Sequence, residues 1–288
     1  MPHILKIKPI DNWLKKNNWN YYNHQIETLK LSENGFDVLL VAPTGGGKTL
    51  AGFLPSLNDL INNRPEKNKL HTLYISPLKA LTIDVHRNLN NPIEDQGLDI
   101  RVETRTGDTS AYKKNRQKVL PPHMLMTTPE SLALLLSNKE SKDYFKDLKY
   151  LIIDEIHVLV NSKRGDLLSL NLSRIHSISP DCKRIGLSAT VKNKETVLKF
   201  LTSKNKAKIL NVKETSFPKI EILETKTRVP WSGHMASYAI KDIYQKIQKS
   251  SLTIIFVNTR AQAELVFNKL WQENDNNLRI AIHHGSLE

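Results

Sequence analysis

An α/β fold, a parallel sheet flanked by helices, is what this 288-residue sequence predicts. Three observations lead there. Short apolar, β-branched runs alternate with helix-patterned segments along most of the chain. Several runs are apolar almost without interruption, as strands buried on both faces are. A glycine-rich turn, "APTGGGKT", sits between the first run and the helix pattern after it. Such alternation lays strands side by side through right-handed crossovers, with ligands at their carboxyl ends.

The elements follow in order. Strands are expected at 36–43, 71–77, 99–107, 123–129, 150–156 and 183–190, with helices at 48–62, 78–90, 130–137 and 166–177. The periodic pattern weakens after "KILNVKE", and the stretch 215–236 holds two prolines and a Ser-Gly pair, which marks a linker. Residues 1–214 therefore form the first domain and 237–288 begin a second. In the second, "ASYAIKDIYQKIQ" reads as a helix, 252–257 as a strand, "RAQAELVFNKLWQE" as an amphipathic helix and 278–283 as a further strand.

A formal net charge of +13 favours a polyanionic partner, because phosphate contacts release condensed counterions. A solubility surplus accounts for the charge equally well. Cys182 is the only cysteine, so no internal disulfide and no cysteine zinc site can form, and a reducing cytoplasm is the simplest location. No apolar run approaches the roughly 20 residues that cross a bilayer, so no membrane role is expected. The N-terminal apolar stretch is too short for a secretory signal.

The chemistry begins at Ala42-Pro43-Thr44-Gly45-Gly46-Gly47-Lys48-Thr49. A strand, a glycine turn and a helix start form the setting of a phosphate loop. Glycines let successive N–H groups point at phosphate oxygens, and the helix N-terminus adds partial positive charge. Lys48 can reach the terminal phosphates and the Thr49 hydroxyl can hold Mg2+. Ala42 stands where the strict pattern has glycine, so a chance glycine turn is the alternative. Further on, "YLIIDEIHVL" puts Asp154-Glu155 at the end of an apolar strand. Unpaired, two buried acids are costly; facing Mg2+ and a phosphate they have work, Asp154 for the metal and Glu155 for the attacking water. A surface acidic pair is the alternative. His157 reads either as a core histidine or as a link from the nucleotide to the rest of the site.

Asp154-Glu155-Ile156-His157, Ser188-Ala189-Thr190 and Ala42–Thr49 together resemble the motif set of superfamily 2 helicases. "LYISPLKALTIDVHRNL", "VETRTGDT", "TTPESLALLL", "SKRGDLL", "PWSGH", "FVNTRAQAELVF" and "IAIHHGSL" are similar to the large helicase-related (Lhr) group, closest to the bacterial DExH-box helicases associated with DNA ligase. The resemblance runs from Trp19 to Leu287. It implies a RecA-like phosphate-loop NTPase domain, followed by an incomplete second RecA-like domain.

The family's roles then fall on matching residues. ATP and Mg2+ are the implied cofactors, with Gln25 reading the adenine edge, unless it is simply an exposed helix glutamine. Lys48, Asp154 and Glu155 are the implied catalytic group. Ser188 and Thr190, with His157, resemble the residues that couple hydrolysis to movement. Pro77, Lys79, Thr106, Gly107 and Thr128, and in the second domain Asn258, Thr259 and Arg260, resemble loops gripping the backbone of one nucleic-acid strand. Each could instead be turn or cap chemistry. Arg164 is given no contact, and a metal at the adjacent His283 and His284 is not expected.

The implied function is an ATP-dependent DNA helicase or translocase on single-stranded or partly duplex DNA, with RNA not excluded. Association with a DNA ligase is implied as well. In the family the second domain continues well past the position of Glu288 and supplies an arginine finger. A truncated product, a remainder on a separate chain, or a partial sequence all fit. The rival expectation is a remnant that binds ATP and nucleic acid without efficient hydrolysis or unwinding.

Overall fold

The sequence places seven short strands where their neighbours can bury them. In chain order the first unit runs α1 (Lys8–Lys16), α2 (Asn23–Glu33), β1 (Asp37–Val41), α3 (Lys48–Asn62), β2 (Thr72–Ile75), α4 (Lys79–Asp95), β3 (Val102–Arg105), α5 (Ala111–Val119), β4 (Met124–Thr127), α6 (Pro129–Leu136), α7 (Ser141–Phe145), β5 (Tyr150–Ile153), α8 (Ile156–Leu159), α9 (Lys163–Ile178), β6 (Lys183–Ser188), α10 (Lys194–Leu201) and β7 (Ala207–Asn211). This computed structural model describes residues 7–63, 67–189, 191–203, 206–212, 219–225, 231 and 237–284. The chain divides into two units, Met1–Thr215 and Ser216–Glu288.

The sheet of the first unit has the order β3-β4-β2-β5-β6-β1-β7, and every pairing in it is parallel. Successive side chains of a strand serve opposite faces. Val38 and Leu40 of β1 join Phe53, Leu54 and Leu57 of α3 in one core. Leu39 and Val41 join Leu132 of α6 and Leu168 and Leu172 of α9 in the other. Each fully buried aliphatic side chain contributes about 1.5–3 kcal/mol, so a strand buried on both faces is held firmly from either side. Register aligns the carboxyl ends: Val41 lies opposite Ser188, and Ile75 opposite both Thr127 and Ile153.

Caps set where several helices begin. Thr128 accepts the Ser131 N–H ahead of α6, with Pro129 at the first helical position. Ser162 accepts the Gly165 N–H ahead of α9. Gly165 has no alternative there, since an added Cβ would lie 1.9 Å from the Leu159 carbonyl oxygen.

The six expected strands of the first unit are all present, each shorter than its apolar run. The edge strand β7 is the one that periodicity misses. Its sequence, Ala207–Asn211, mixes apolar with polar residues and is only partly buried, as an edge allows.

The second unit contains a short 3-10 turn, Ser237–Ala239, then α11 (Ile240–Gln248) and α12 (Arg260–Gln272). Ile240, Tyr244, Val266 and Leu270 form its small core, against which Leu278 and Ile280 pack. The expected strands at 252–257 and 278–283 are not formed. Leu252 is 81% exposed and Phe256 90%. A continuous apolar run becomes a strand only where a neighbour completes its hydrogen-bond ladder, and none of the described residues does so here.

Candidate nucleotide site and strand-end loops

Three loops that sequence reasoning singled out leave adjacent strands: 42–47 after β1, 154–155 after β5 and the Ser188 end of β6. Gly47 caps α3 in the left-handed region, at φ 70°, and a Cβ on it would sit 2.6 Å from Gln25 Nε2. Only glycine lets the loop pass so close beneath α2. Thr44 and Gly45 are exposed and Thr49 lies in the first turn of α3. The Lys48 side chain folds back over the loop, where Nζ donates to the carbonyl oxygens of Ala42 at 2.9 Å and Pro43 at 3.1 Å.

The start of α2 braces this loop. Gln25 is 3% exposed, so it is not an exposed helix glutamine. Its Oε1 accepts the Tyr22 N–H at 2.9 Å and its Nε2 donates to the Gly47 carbonyl at 3.1 Å. His24 makes the parallel contact, Nε2 to the Gly46 carbonyl at 2.7 Å. A carbonyl only accepts, so this nitrogen carries the proton. The imidazole stacks on Tyr22, centroids 5.4 Å apart at 11°. Sequence reasoning missed His24, and only its place beside Gln25 could have signalled it. Next to the loop opens a cleft of about 790 Å3, with Trp19, Tyr22, Gln25, Gly45, Gly47 and Thr49 among its lining residues.

At the end of β5, Asp154 is 6% exposed and Glu155 is half-buried, so the first of the two acids is not a surface residue. Asp154 Oδ2 accepts the Tyr74 hydroxyl at 2.6 Å, and Oδ1 accepts the Glu155 N–H at 2.8 Å. Burial first, then the charge of Asp154 and the hydrogen bond to it, push the Tyr74 phenol far above its ordinary pKa, so it stays a donor. Glu155 sits at φ 44°, in the left-handed region that side chains enter at a cost of about 1 kcal/mol or more. Its Oε2 lies 3.3 Å from His157 Nδ1, which in turn is hydrogen-bonded to Ser188 Oγ at 2.9 Å. Thr190 lies outside the described residues.

These groups fit a hard cation shared with a phosphate. Asp154 and Thr49 supply oxygen donors, and each oxygen of Asp154 accepts one protein hydrogen bond, leaving lone-pair capacity. No group of three or more His, Cys, Asp or Glu among the described residues could hold a metal unaided. Mg2+ is commonly held by one or two carboxylates plus the substrate's own phosphates, so this is the expected pattern.

The loops after β2, β4 and β3 carry the remaining first-unit candidates. Pro77 is buried, while Lys79, at the start of α4, pairs with Asp108 at 2.8 and 3.0 Å in the open. The Thr106 N–H donates to Thr109 Oγ1 at 2.9 Å, and the Gly107 carbonyl accepts Lys114 Nζ at 3.0 Å. Thr128 is buried and its hydroxyl is engaged with Ser131. Arg164, left without a contact by sequence reasoning, forks onto Glu130: Nε meets Oε1, and a terminal nitrogen meets Oε2 at 3.1 Å. That pair ties the start of α6 to the start of α9. In the second unit, Asn258, Thr259 and Arg260 are exposed at the start of α12, which the Thr259 hydroxyl caps through the Gln262 N–H.

The family model for DEAD/DEAH box helicases matches residues 22–197. The chain is 35% identical to the ATP-dependent helicase Lhr-Core protein 2 of Thermococcus barophilus over 97% of its own length and 35% of that protein's. It is 36% identical to the ATP-dependent helicase Lhr-Core of Methanocaldococcus jannaschii, again over 97% and 35%. Among solved structures, the helicase Lhr of Mycobacterium smegmatis bound to ssDNA and AMP-PNP superposes with a TM-score of 0.71 at 31% identity, covering 92% of this chain and 36% of that one. The chain thus spans about a third of the length of these relatives. Its first unit has the RecA-like helicase fold, with a parallel sheet, a phosphate-loop sequence after β1 and the DExH acids after β5, on the far side of β6, and the chain belongs to the DEAD/DEAH box helicase family.

Proposed function

We propose that this chain is the ATP-binding part of a DNA helicase or translocase, with the phosphate loop gripping ATP and the opposite half of the sheet edge gripping a single DNA strand. The observation that carries the reading is the placement of Lys48, Asp154 and Ser188 at the carboxyl ends of three neighbouring parallel strands. Lys48 exchanges two neutral carbonyl acceptors for charged phosphate oxygens, a stronger partner for an ammonium. Thr49 and Asp154 are the residues that hold Mg2+, which would neutralise charge on the terminal phosphates. Glu155 orients and polarises the attacking water. The base enters the cleft beside Trp19 and Tyr22, where Gln25 offers its amide to the adenine edge. His157 and Ser188, already hydrogen-bonded, relay the state of Glu155 to β6.

Pro77, Lys79, Thr106, Gly107 and Thr128 belong to the strand track, with Thr128 acting through the helix start it caps. Asn258, Thr259 and Arg260 are assigned to nucleic-acid binding in a second RecA-like domain, for which 1–214, 215–236 and 237–288 are the domain, linker and domain of our reading. Thr190 is assigned to coupling, and a DNA ligase to the partners, by resemblance alone. A separate chain carrying the remainder of the motor is one of the three readings that the resemblance leaves open, and a cytoplasmic location rests on Cys182 being the only cysteine. No helix among the described residues is long and apolar enough to cross a membrane.

Titration of the 288-residue chain with a fluorescent ATP analogue and with unrelated single-stranded oligonucleotides tests the reading. It requires Mg2+-dependent ATP binding that Lys48→Ala weakens by at least about tenfold, and DNA binding that is indifferent to sequence and weakens steeply with salt. Wild-type ATP affinity in Lys48→Ala, or a strong sequence preference, overturns it.

A further inference from the structure

Tyr74 stands in the middle of β2, where packing requires an apolar residue and nothing more. It is 1% exposed, and its ring stacks on Phe53 of α3 with centroids 5.2 Å apart. Phenylalanine fills the same space without a polar atom to satisfy. The hydroxyl nevertheless reaches across to the neighbouring strand and donates to Asp154 Oδ2 at 2.6 Å. The other oxygen, Oδ1, takes the Glu155 N–H, and the Asp154 N–H is itself held by the Ile75 carbonyl at 2.9 Å. The carboxylate is therefore tied from two sides, by its own backbone neighbour and by a phenol anchored on another strand and a helix. We propose that Tyr74 is a positioning residue, whose hydroxyl sets the orientation in which Asp154 meets a nucleotide-bound divalent cation. The inference rests on the nucleotide reading above.

Donors that orient a metal-binding side chain typically govern metal affinity about 10–100-fold. Tyr74→Phe keeps the ring and its stacking and removes only the donor. The experiment titrates MgCl2 into the 288-residue chain carrying a fluorescent non-hydrolysable ATP analogue, and titrates the analogue separately in EDTA. Tyr74→Phe raises the Mg2+ midpoint about tenfold and leaves the affinity in EDTA unchanged. A role confined to packing moves neither preferentially. In an Asp154→Asn background the Tyr74→Phe effect on the midpoint vanishes, because the two act through one contact. If Tyr74→Phe does not fold, Phe53→Leu loosens the seat of the ring and raises the midpoint in the same direction. An unchanged midpoint in whichever of these variants folds, or a full effect of Tyr74→Phe on Asp154→Asn, overturns the proposal. A wild-type chain that binds the analogue without any Mg2+ dependence overturns the nucleotide reading first, and this inference with it.

Discussion

At the ends of β5, β6 and β1 the polar groups are tied down by buried side chains, whereas at the ends of β2, β4 and β3 the charged groups pair with one another in the open. Lys48, Asp154, Gln25 and His24 are all buried, and their contacts cross from one element to the next. Lys79 and Asp108 meet with side chains 52% and 76% exposed. Glu130 and Arg164 also pair near the surface, with mutual hydrogen bonding the leading reason that the Glu130 carboxyl is held below its ordinary pKa. The difference fits two tasks. Phosphate chemistry needs donors and acceptors fixed before the substrate arrives. A track for a moving strand needs contacts that exchange readily with water and with the next phosphate. Substitutions in the first half should therefore act strongly and specifically on nucleotide, and those in the second weakly, on nucleic acid, in proportion to salt.

The largest effect is expected at Glu155. Glu155→Gln lowers single-turnover ATP hydrolysis in the presence of single-stranded DNA by about 10²–10⁴-fold, the usual contribution of a general base. ATP affinity changes little, and hydrolysis at the wild-type rate would remove Glu155 from the mechanism. Next comes Lys48→Ala, which weakens ATP binding by about 1.5–3 kcal/mol, the contribution of one charged hydrogen bond. DNA affinity measured without nucleotide stays at the wild-type value, and a parallel loss there would erase the contrast between the halves.

A smaller effect belongs to His24. His24→Ala frees the Gly46 carbonyl and weakens ATP binding by about 1 kcal/mol, while Gln25 still holds Gly47. Calorimetric titration that finds no change would leave the brace to Gln25 alone. On the other half, Lys79→Ala lowers single-stranded DNA affinity a few-fold and reduces the log–log salt slope by about 0.7, the share of one phosphate contact. ATP binding is unaffected, and an unchanged slope would take Lys79 off the track.

The amino-terminal edge of the sheet offers a control. There Asp59 is paired with His71 at 2.8 Å and Lys149 at 3.2 Å, and hydrogen bonding from His71, above all, holds its carboxyl well below the usual range. A depressed carboxyl pKa stabilises the fold above the unfolded value of about 3.9, and that stability is lost as pH falls through the folded value. Asp59→Asn should cost about 1 kcal/mol of stability near neutral pH, flatten the acid limb of a thermal-unfolding profile, and leave both ligands' affinities alone. Altered ATP or DNA binding would show that the two edges communicate.

The strands of the first unit, and the loops proposed to carry its chemistry, were legible because each rests on local pattern. A buried parallel strand needs an apolar run, as in "YLIID", and a phosphate loop needs glycines before a lysine at a helix start. Charges and caps that act within a few residues were readable too, such as Thr128 ahead of Pro129. The brace from His24 was not legible, because histidine carries no periodic signal and its partner is 22 residues away. Tyr74 was read as part of a strand, since its link to Asp154 spans 80 residues.

"LTIIFV" marks the opposite failure. Its composition says strand, yet Leu252 and Phe256 remain exposed, because hydrogen-bond partners and apolar cover come only from neighbouring segments. By itself, then, the sequence determined where chain segments could be buried and which loops could meet a phosphate, because burial and turn geometry are properties of short stretches. Tertiary structure alone decided which strands became neighbours, which carboxylate oxygen met which hydroxyl, and whether an apolar run was paired, because those contacts exist only once distant segments are side by side.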